Sequence, residues 1–307
     1  MASATIVRTD WDLSTNSDVF KTLVKEWFNS TDRPPLVEYP NVVTEIQSAD
    51  EYERMGRYAG LDYAGALIEG QQIPIQDPKF NTTKDYRQIA YGTGIRITDR
   101  MKRYEKIGLY QFLTENLRNM MLETKDIEIA RLYNSAAVTT YAVGFDTLAL
   151  ASASHTCLDD AATTFSNYGN AALSTSSFES ALNYFDYMYD DSGNIFTAQP
   201  DTLVVNRTLR WDADELLKSS GKPWEMSNTI NPYQGEVTPF VYHRLTATTS
   251  WFLIAKSNPR FKLFVITTMA PDVRVWSADA TRDTIVDTLQ YFKYGFSDGR
   301  MVYVGDT

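Results

Sequence analysis

The stretch of sequence that decides the fold runs from Gly70 to Ala136 and has three parts. GQQIPIQDPKFNTT (70–83) contains glycine and proline, KDYRQIAYGTGIRITDRM (84–101) has the composition of a strand, and LYQFLTENLRNMMLETKDIEIARLYN (109–134) has that of a helix. Central strands rarely tolerate prolines such as Pro74 and Pro78, so residues 61–83 are predicted to be a loop or an edge hairpin. The stretch therefore predicts an extended segment that leads through a strand at 84–98 into a rigid helix.

The helix at 109–134 is long and has one apolar stripe. Its 26 residues would span about 39 Å, whereas the mean globular helix has about 11–12 residues. Met120 and Met121 are predicted to fill the core rather than to bind a cofactor. The stripe recurs every three or four positions and consists of Leu109, Phe112, Leu113, Leu117, Met120, Met121, Thr124 and Ile127.

Shorter elements are expected on both sides. Those before the stretch are an arm (1–16), a helix from Asp18 to Phe28 with Ser17 as N-cap, a strand (41–47) and a helical turn (51–60). Those after it are loops and short strands (137–175), a helix (176–190) capped by Ser176 or Ser177, a strand (200–206) leading into a helix that ends at Gly221, and strands at 236–245, 250–256 and 261–268. A long strand (282–296) is then expected to form a hairpin with MVYV (301–304).

Charge is distributed unevenly along the chain. The net charge is −10, but residues 84–106 hold seven basic and three acidic side chains, which gives +4 there and −14 elsewhere. A negative protein is disfavoured as a nonspecific nucleic-acid binder through its whole surface. The basic segment fits two interpretations, a contact with acidic surface on a neighbouring copy or an edge strand whose charges prevent aggregation.

Cellular location is constrained by what the sequence lacks. Cys157 is the single cysteine, so no intrachain disulfide is possible. No apolar run approaches the ~18–20 residues of a membrane span, and the N-terminus lacks the apolar core of a signal peptide. We therefore expect a soluble protein made in a cytoplasm.

The search for catalytic chemistry gives no positive result. His155 and Cys157 are too few ligands for a structural zinc site, and neither a P-loop nor GxGxxG is present. We therefore predict no catalytic, cofactor-binding or metal-binding residue and no enzyme. A hydrolase that uses one of the acidic clusters stays as a less favoured alternative; these clusters are Asp159 and Asp160, then Asp186, Asp190 and Asp191, then Asp212, Asp214 and Glu215.

The order of elements resembles one family. ITDRM (97–101) before the long helix, PDTLVVNRTLRWDADELL (200–217), NPYQG (231–235) and LTATTSWFLIAK (245–256) follow one another as in major capsid proteins of tailed bacteriophages. The chain is most similar to the Mu-like major head subunit group of that family. The resemblance implies an α+β fold of the HK97-like type. It places an N-terminal arm and lead-in at 1–59, an extended loop at 60–95, a peripheral domain at 96–136 and 272–307 with the long helix as its spine, and an axial domain at 137–271.

The resemblance also implies a function. Many copies would assemble into hexamers and pentamers of an icosahedral head around double-stranded DNA, which is held without sequence specificity. Portal, scaffolding or decoration proteins are candidate further partners, with no membrane involved. The protein would be found in the virion after assembly in the host cytoplasm. An encapsulin-like compartment is the alternative use of the same fold.

Five residues are predicted to make contacts between subunits. Ile73, Ile75 and Phe80 lie on the loop, with Arg87 and Arg96 at its base. An ordinary surface hairpin would account for the same residues, and truncation of the loop tip (70–80) distinguishes the two interpretations.

Overall fold

The computed structural model describes residues 17–30, 34–61, 63–77, 80–104, 108–157, 164–221, 230–258, 262–278 and 281–306. The arm predicted at 1–16 lies outside these residues. The chain divides into two compact units. Unit 1 comprises Met1–Val37, Ile89–Lys125 and Thr268–Phe292, and unit 2 comprises Glu38–Gln88, Asp126–Thr267 and Lys293–Thr307.

Five α-helices are described, and the long one has the predicted bounds. Ser17, which was predicted to cap the first helix, α1 (Ser17–Asn29), is instead its first residue. The N-cap of α4 (Thr175–Asp186) is Ser174 rather than Ser176 or Ser177. The Ser174 side chain accepts from the Ser177 amide, and the Ser177 hydroxyl accepts from the Ser174 amide. The helices are α1 (Ser17–Asn29), α2 (Asp99–Tyr104), α3 (Leu109–Asn134), α4 (Thr175–Asp186) and α5 (Arg210–Lys218).

Thirteen strands are described. They are β1 (Thr44–Gln47), β2 (Tyr52–Tyr58), β3 (Phe80–Arg87), β4 (Ile89–Ile97), β5 (His155–Thr156), β6 (Thr164–Phe165), β7 (Tyr168–Gly169), β8 (Thr202–Val205), β9 (Thr238–Val241), β10 (Trp251–Ile254), β11 (Leu263–Ala278), β12 (Asp283–Phe296) and β13 (Val302–Gly305). The four-stranded sheet has the order β1-β11-β12-β4, and the five-stranded sheet has the order β7-β13-β10-β8-β9.

Two predictions about the loop region were wrong. The helical turn predicted at 51–60 is strand β2, which pairs antiparallel with β3 so that Tyr52 lies opposite Arg87. The single strand predicted at 84–98 is two strands, which are separated at Gln88 and belong to different sheets. Both errors come from pairing between distant parts of the chain: β3 pairs with β2 whereas β4 pairs with β12, and neither ladder leaves a local pattern.

Two predictions about the C-terminal third were also wrong. β13 does not pair with β12: it is antiparallel to β10 and parallel to β7. A 3-10 turn at Gly299–Met301, which contains the buried Arg300, redirects the chain before β13 begins. The strand predicted at 261–268 continues to Ala278 through Pro271. Among the described residues β1 pairs with β11 only as far as Thr267, so Pro271 lies beyond that ladder.

Unit 1 has its core between α1, the first part of α3 and the sheet. β12 pairs with β4 from Thr284 opposite Ile97 to Phe292 opposite Ile89. α1 packs there through Phe20, whose ring meets that of Tyr110 edge to face. The stripe predicted on α3 is only partly buried. Leu117 and Met121 are buried, whereas Leu109, Phe112, Met120 and Ile127 are exposed, so Met120 does not fill the core as predicted.

Unit 2 has its core between α4, α5 and the five-stranded sheet. The central strand β10 is buried at all four positions, as expected for a strand covered on both faces. Trp251 is fully buried, and its indole N–H donates to the Ala171 carbonyl at 3.1 Å. This packed unit carries β2, β3 and the segment that joins them, which holds the candidate site.

Candidate assembly surface

The segment between β2 and β3 exposes an unusual number of large apolar side chains. Every described residue from Leu61 to Asp77 is exposed. Burial of apolar area is the main favourable term in protein association, so such a set indicates a contact surface. The described members are Leu61, Tyr63, Leu67, Ile68, Ile73 and Ile75. We call these residues the loop patch.

Two of the three predicted loop residues have exposed side chains. The side chains of Ile73 and Ile75 are 69% and 85% exposed. Phe80 is the first residue of β3, but its side chain lies outside the described residues. Sequence reasoning missed the rest of the loop patch, because those residues have neither helical nor strand periodicity. Large apolar residues between Gly60 and Gly70 were the available signal.

The two predicted arginines lie in different units. Arg87 ends β3 in unit 2 and pairs with Glu51, and both side chains are largely exposed. Arg96 lies on β4 in unit 1, with its Nε 3.7 Å from Asp283 Oδ2, and its side chain is 64% exposed. Exposed ion pairs contribute about 0–1 kcal/mol to stability. The Arg87–Glu51 pair is exposed on both sides and therefore contributes little to the fold, whereas Asp283, which faces Arg96, is buried. Both arginines remain predicted contact residues.

The stem of the loop, which runs from Arg57 on β2 to Tyr63, begins in a buried cluster of charges. Arg57, on β2, donates from Nε to Asp191 Oδ2 at 3.0 Å and lies 3.2 Å from Asp298. Arg300 lies 3.0 Å from Asp191 and 2.8 Å from Asp298. Burial lowers the pKa of Arg57, but the two aspartates outweigh burial and leave that pKa above its ordinary value. The cluster holds two positive and two negative side chains and is electrically balanced.

A half-buried lysine joins strand β3 to the rest of unit 2. Lys84 Nζ donates to the carbonyl oxygens of Val143 and Gly144, and it lies 5.2 Å from the centre of the Tyr86 ring. Burial and repulsion from Lys293 lower the pKa of Lys84 to about 8. Lys84 therefore titrates closer to neutral pH than an exposed lysine does.

Three residues of the acidic clusters in the hydrolase alternative make structural contacts, whereas Asp186, Asp212 and Glu215 are exposed. Asp190 accepts from the amides of Ser192 and Asn194, Asp191 belongs to the buried cluster, and Asp214 lies 2.6 Å from Lys218. Asp159 and Asp160 lie outside the described residues.

Unit 2 also contains a pocket and two histidine–carboxylate pairs. A pocket of about 230 Å³ is lined by residues 56–60 with Phe145, Asp190, Asp191 and Asp298. Each histidine faces a carboxylate, since His155 Nδ1 lies 2.6 Å from Asp146 and His243 Nδ1 lies 2.6 Å from Glu38. Within the described ranges, no group of three or more His, Cys, Asp or Glu could hold a metal ion. No described helix combines the length and apolar character of a membrane span.

Comparisons with solved structures show the fold. The chain is similar to the capsid structure of cyanophage P-SCSP1u, with 10% identity over 90% of each chain and a TM-score of 0.56. It is similar to a chain of Microbacterium phage Oxtober96, with 11% identity over 96% of this chain and 99% of the other and a TM-score of 0.56. It also resembles the SrpI encapsulin of Synechococcus elongatus PCC 7942, with 11% identity over 93% and 94% and a TM-score of 0.53. These similarities confirm the predicted HK97-like α+β fold.

A comparison with protein families is more specific. No curated protein matches the sequence. The family described as phage capsid protein matches residues 81–305. That range holds β4, the long helix α3 and all strands of the five-stranded sheet, and it is well over half of the chain. The chain therefore belongs to the phage capsid protein family.

Proposed function

We propose that this major capsid protein assembles into hexamers and pentamers, which close into an icosahedral phage head around double-stranded DNA. The observation that supports this most directly is the loop patch, six large apolar side chains exposed within 15 residues of a family member. A monomer gains nothing from exposing them, whereas a subunit that lays its loop over a neighbour buries them.

The proposed mechanism is mechanical rather than chemical. Each copy contributes one loop and receives another, so every copy in a shell is held by several contacts at once. Individually weak contacts become strong together because the second contact of a held subunit forms at high effective concentration. Ile73, Ile75 and Phe80 would supply apolar contact area, with Arg87 and Arg96 as charged contacts at the base of the loop. We propose no catalytic role for any residue.

Partners and domain roles follow from the same proposal. We propose that packaged DNA is held without sequence specificity, and the net charge of −10 argues against tight binding of that DNA by the protein surface as a whole. Portal, scaffolding or decoration proteins are further candidate partners, and assembly would occur in the host cytoplasm. We assign 1–59 to the arm and lead-in, 60–95 to the extended loop, 96–136 and 272–307 to the peripheral domain, and 137–271 to the axial domain.

A second use of the fold has one observation in its favour, the similarity to the SrpI encapsulin. An encapsulin-like shell would form from the same contacts but would enclose protein cargo instead of DNA. The nucleic-acid content of particles purified from infected or expressing cells separates the two uses.

The test of the proposal is assembly itself. Purified protein is examined by sedimentation velocity and electron microscopy across a range of concentrations. We expect capsomers or closed shells of megadalton mass above a threshold concentration. A protein that stays a monomer or dimer at every concentration, alone and with co-expressed scaffolding protein, would refute the proposed function.

A further inference from the structure

The stem of the loop is bound residue by residue to one turn of unit 2. The turn comprises residues 190–195, and an antiparallel bridge between Tyr189 and Ile195 closes it. The first contact is the ion pair of Arg57 with Asp191. Three hydrogen bonds follow: the Ser192 hydroxyl donates to the Gly60 carbonyl at 2.7 Å, and the Asn194 side-chain amide donates to the Leu61 carbonyl at 3.2 Å. The Tyr63 hydroxyl donates to the Ile195 carbonyl at 3.5 Å.

The turn is held in shape by its own hydrogen bonds. The Asp190 carboxylate accepts from the backbone amides of Ser192 and Asn194, each at 2.9 Å. Gly193 adopts a φ of +80°, a conformation that glycine tolerates and most other residues avoid. The stem therefore meets a preformed support rather than a mobile loop.

The buried contacts of Arg57 fix the orientation of the stem on this turn. Its side chain is 7% exposed and that of Asp191 is 3% exposed, and a second guanidinium nitrogen of Arg57 donates to the Thr156 carbonyl at 3.1 Å. A buried guanidinium with several fixed acceptors allows one orientation, because any other leaves a buried charge without partners. Beyond Tyr63 every described residue up to Asp77 is exposed. The stem contacts thus set where the loop leaves the unit.

We propose that Arg57 and the 190–195 turn form a latch that fixes the direction of the loop, and that Arg57 is a positioning residue for assembly. The inference rests on the proposed function, in which the loop patch must meet a neighbouring copy. A loop whose direction is fixed loses less conformational entropy when it docks. Loosening the latch should therefore weaken assembly even when all contact residues are intact.

The first test measures the direction of the loop in unassembled protein. Spin labels are placed at two exposed positions, Gln72 on the loop and Ser180 on α4, through Gln72→Cys and Ser180→Cys, and the distribution of distances between them is recorded. We expect Arg57→Met to broaden the distribution at least twofold and Arg57→Lys to broaden it less. The matched control is Arg54→Met on the same strand, which removes an exposed pair with Asp85 and should leave the width unchanged.

The second test measures assembly of the same variants. At a temperature where circular dichroism shows each protein folded, Arg57→Met should raise the threshold concentration for assembly at least tenfold, and Arg54→Met should leave it within about threefold. If Arg57→Met does not fold, the pair Ser192→Ala and Asn194→Ala removes two stem hydrogen bonds away from the buried charges and should have the same effect. If the folded latch variants have the wild-type width of the distance distribution and the wild-type threshold concentration for assembly, the proposed latch is refuted. A wild-type protein that never assembles would instead refute the proposed function, and the distance measurement would still test the latch.

Discussion

Polar substitution of the loop patch should weaken assembly without weakening the fold. We consider the double variant Ile73→Asp with Ile75→Asp. Both residues are largely exposed in the single chain, so the free energy of unfolding should change by less than about 0.5 kcal/mol. In an assembled shell the same residues would be buried against a neighbour, and two charges there would be unpaired.

The magnitude follows from the exposed area. At 69% and 85% exposure, the two side chains together offer about one and a half fully exposed isoleucines. Complete burial of one such side chain contributes about 1.5–3 kcal/mol, which sets an upper limit of about 2–4.5 kcal/mol per copy. Contacts between subunits bury only part of this area and incur ordering costs. We therefore expect a loss of about 1.4–2.8 kcal/mol, which raises the threshold concentration about 10- to 100-fold.

The assay is sedimentation of the pelletable fraction against total concentration, alongside thermal unfolding of the unassembled protein. The matched control is Ala66→Asp with Gln72→Asp, which adds the same two charges at exposed positions of the same loop but removes no large apolar side chain. It should shift the threshold by less than about threefold. Equal thresholds for the double variant and the wild type would refute the role of Ile73 and Ile75, and so would equal shifts in the variant and its control.

Three further predictions concern unit 2. Lys84 has a folded-state pKa of about 8, below its ordinary value of 10.5, so between these values the unfolded chain holds a proton that the folded protein has released. The free energy of unfolding of the wild type, measured by urea titration, should therefore rise relative to that of Lys84→Met from pH 8 to 9.5. A difference that stays constant or falls would contradict a lowered Lys84 pKa in the folded protein. Phe178→Ala removes a fully buried ring from the core and should lower the free energy of unfolding by about 3–5 kcal/mol in the same assay, whereas a loss under 1 kcal/mol would show a loosely packed core. Ser174→Ala removes the N-cap of α4 and should cost about 1 kcal/mol, measured by thermal unfolding, with no change expected if the cap forms no hydrogen bond in solution.

Local pattern was enough to predict the elements that are stabilised locally. α3 has the predicted bounds, Leu109 to Asn134, because its helix-forming residues continue without a break after Gly108. The burial of its faces was predicted less well. Phe112 and Met120 have the same spacing as the buried Leu117 and Met121, but which side of a helix meets a core depends on tertiary packing.

The stem of the loop was not predictable, for a physical reason. Arg57 has the appearance of a surface residue in sequence, but its partner Asp191 lies 134 positions away and Asp298 lies still farther along the chain. Strand β2 was predicted as a helical turn because its stability depends on β3 and on this buried cluster. The loop itself was recognised from its glycines and prolines, since these act locally.

A cryo-EM map of shells assembled from the purified chain tests the central claim most directly. We expect residues 61–77 of each copy to extend over a neighbouring copy, with Ile73 and Ile75 buried in that contact. A map in which this segment folds back on its own chain, or in which both isoleucines remain exposed to solvent in the shell, would contradict it.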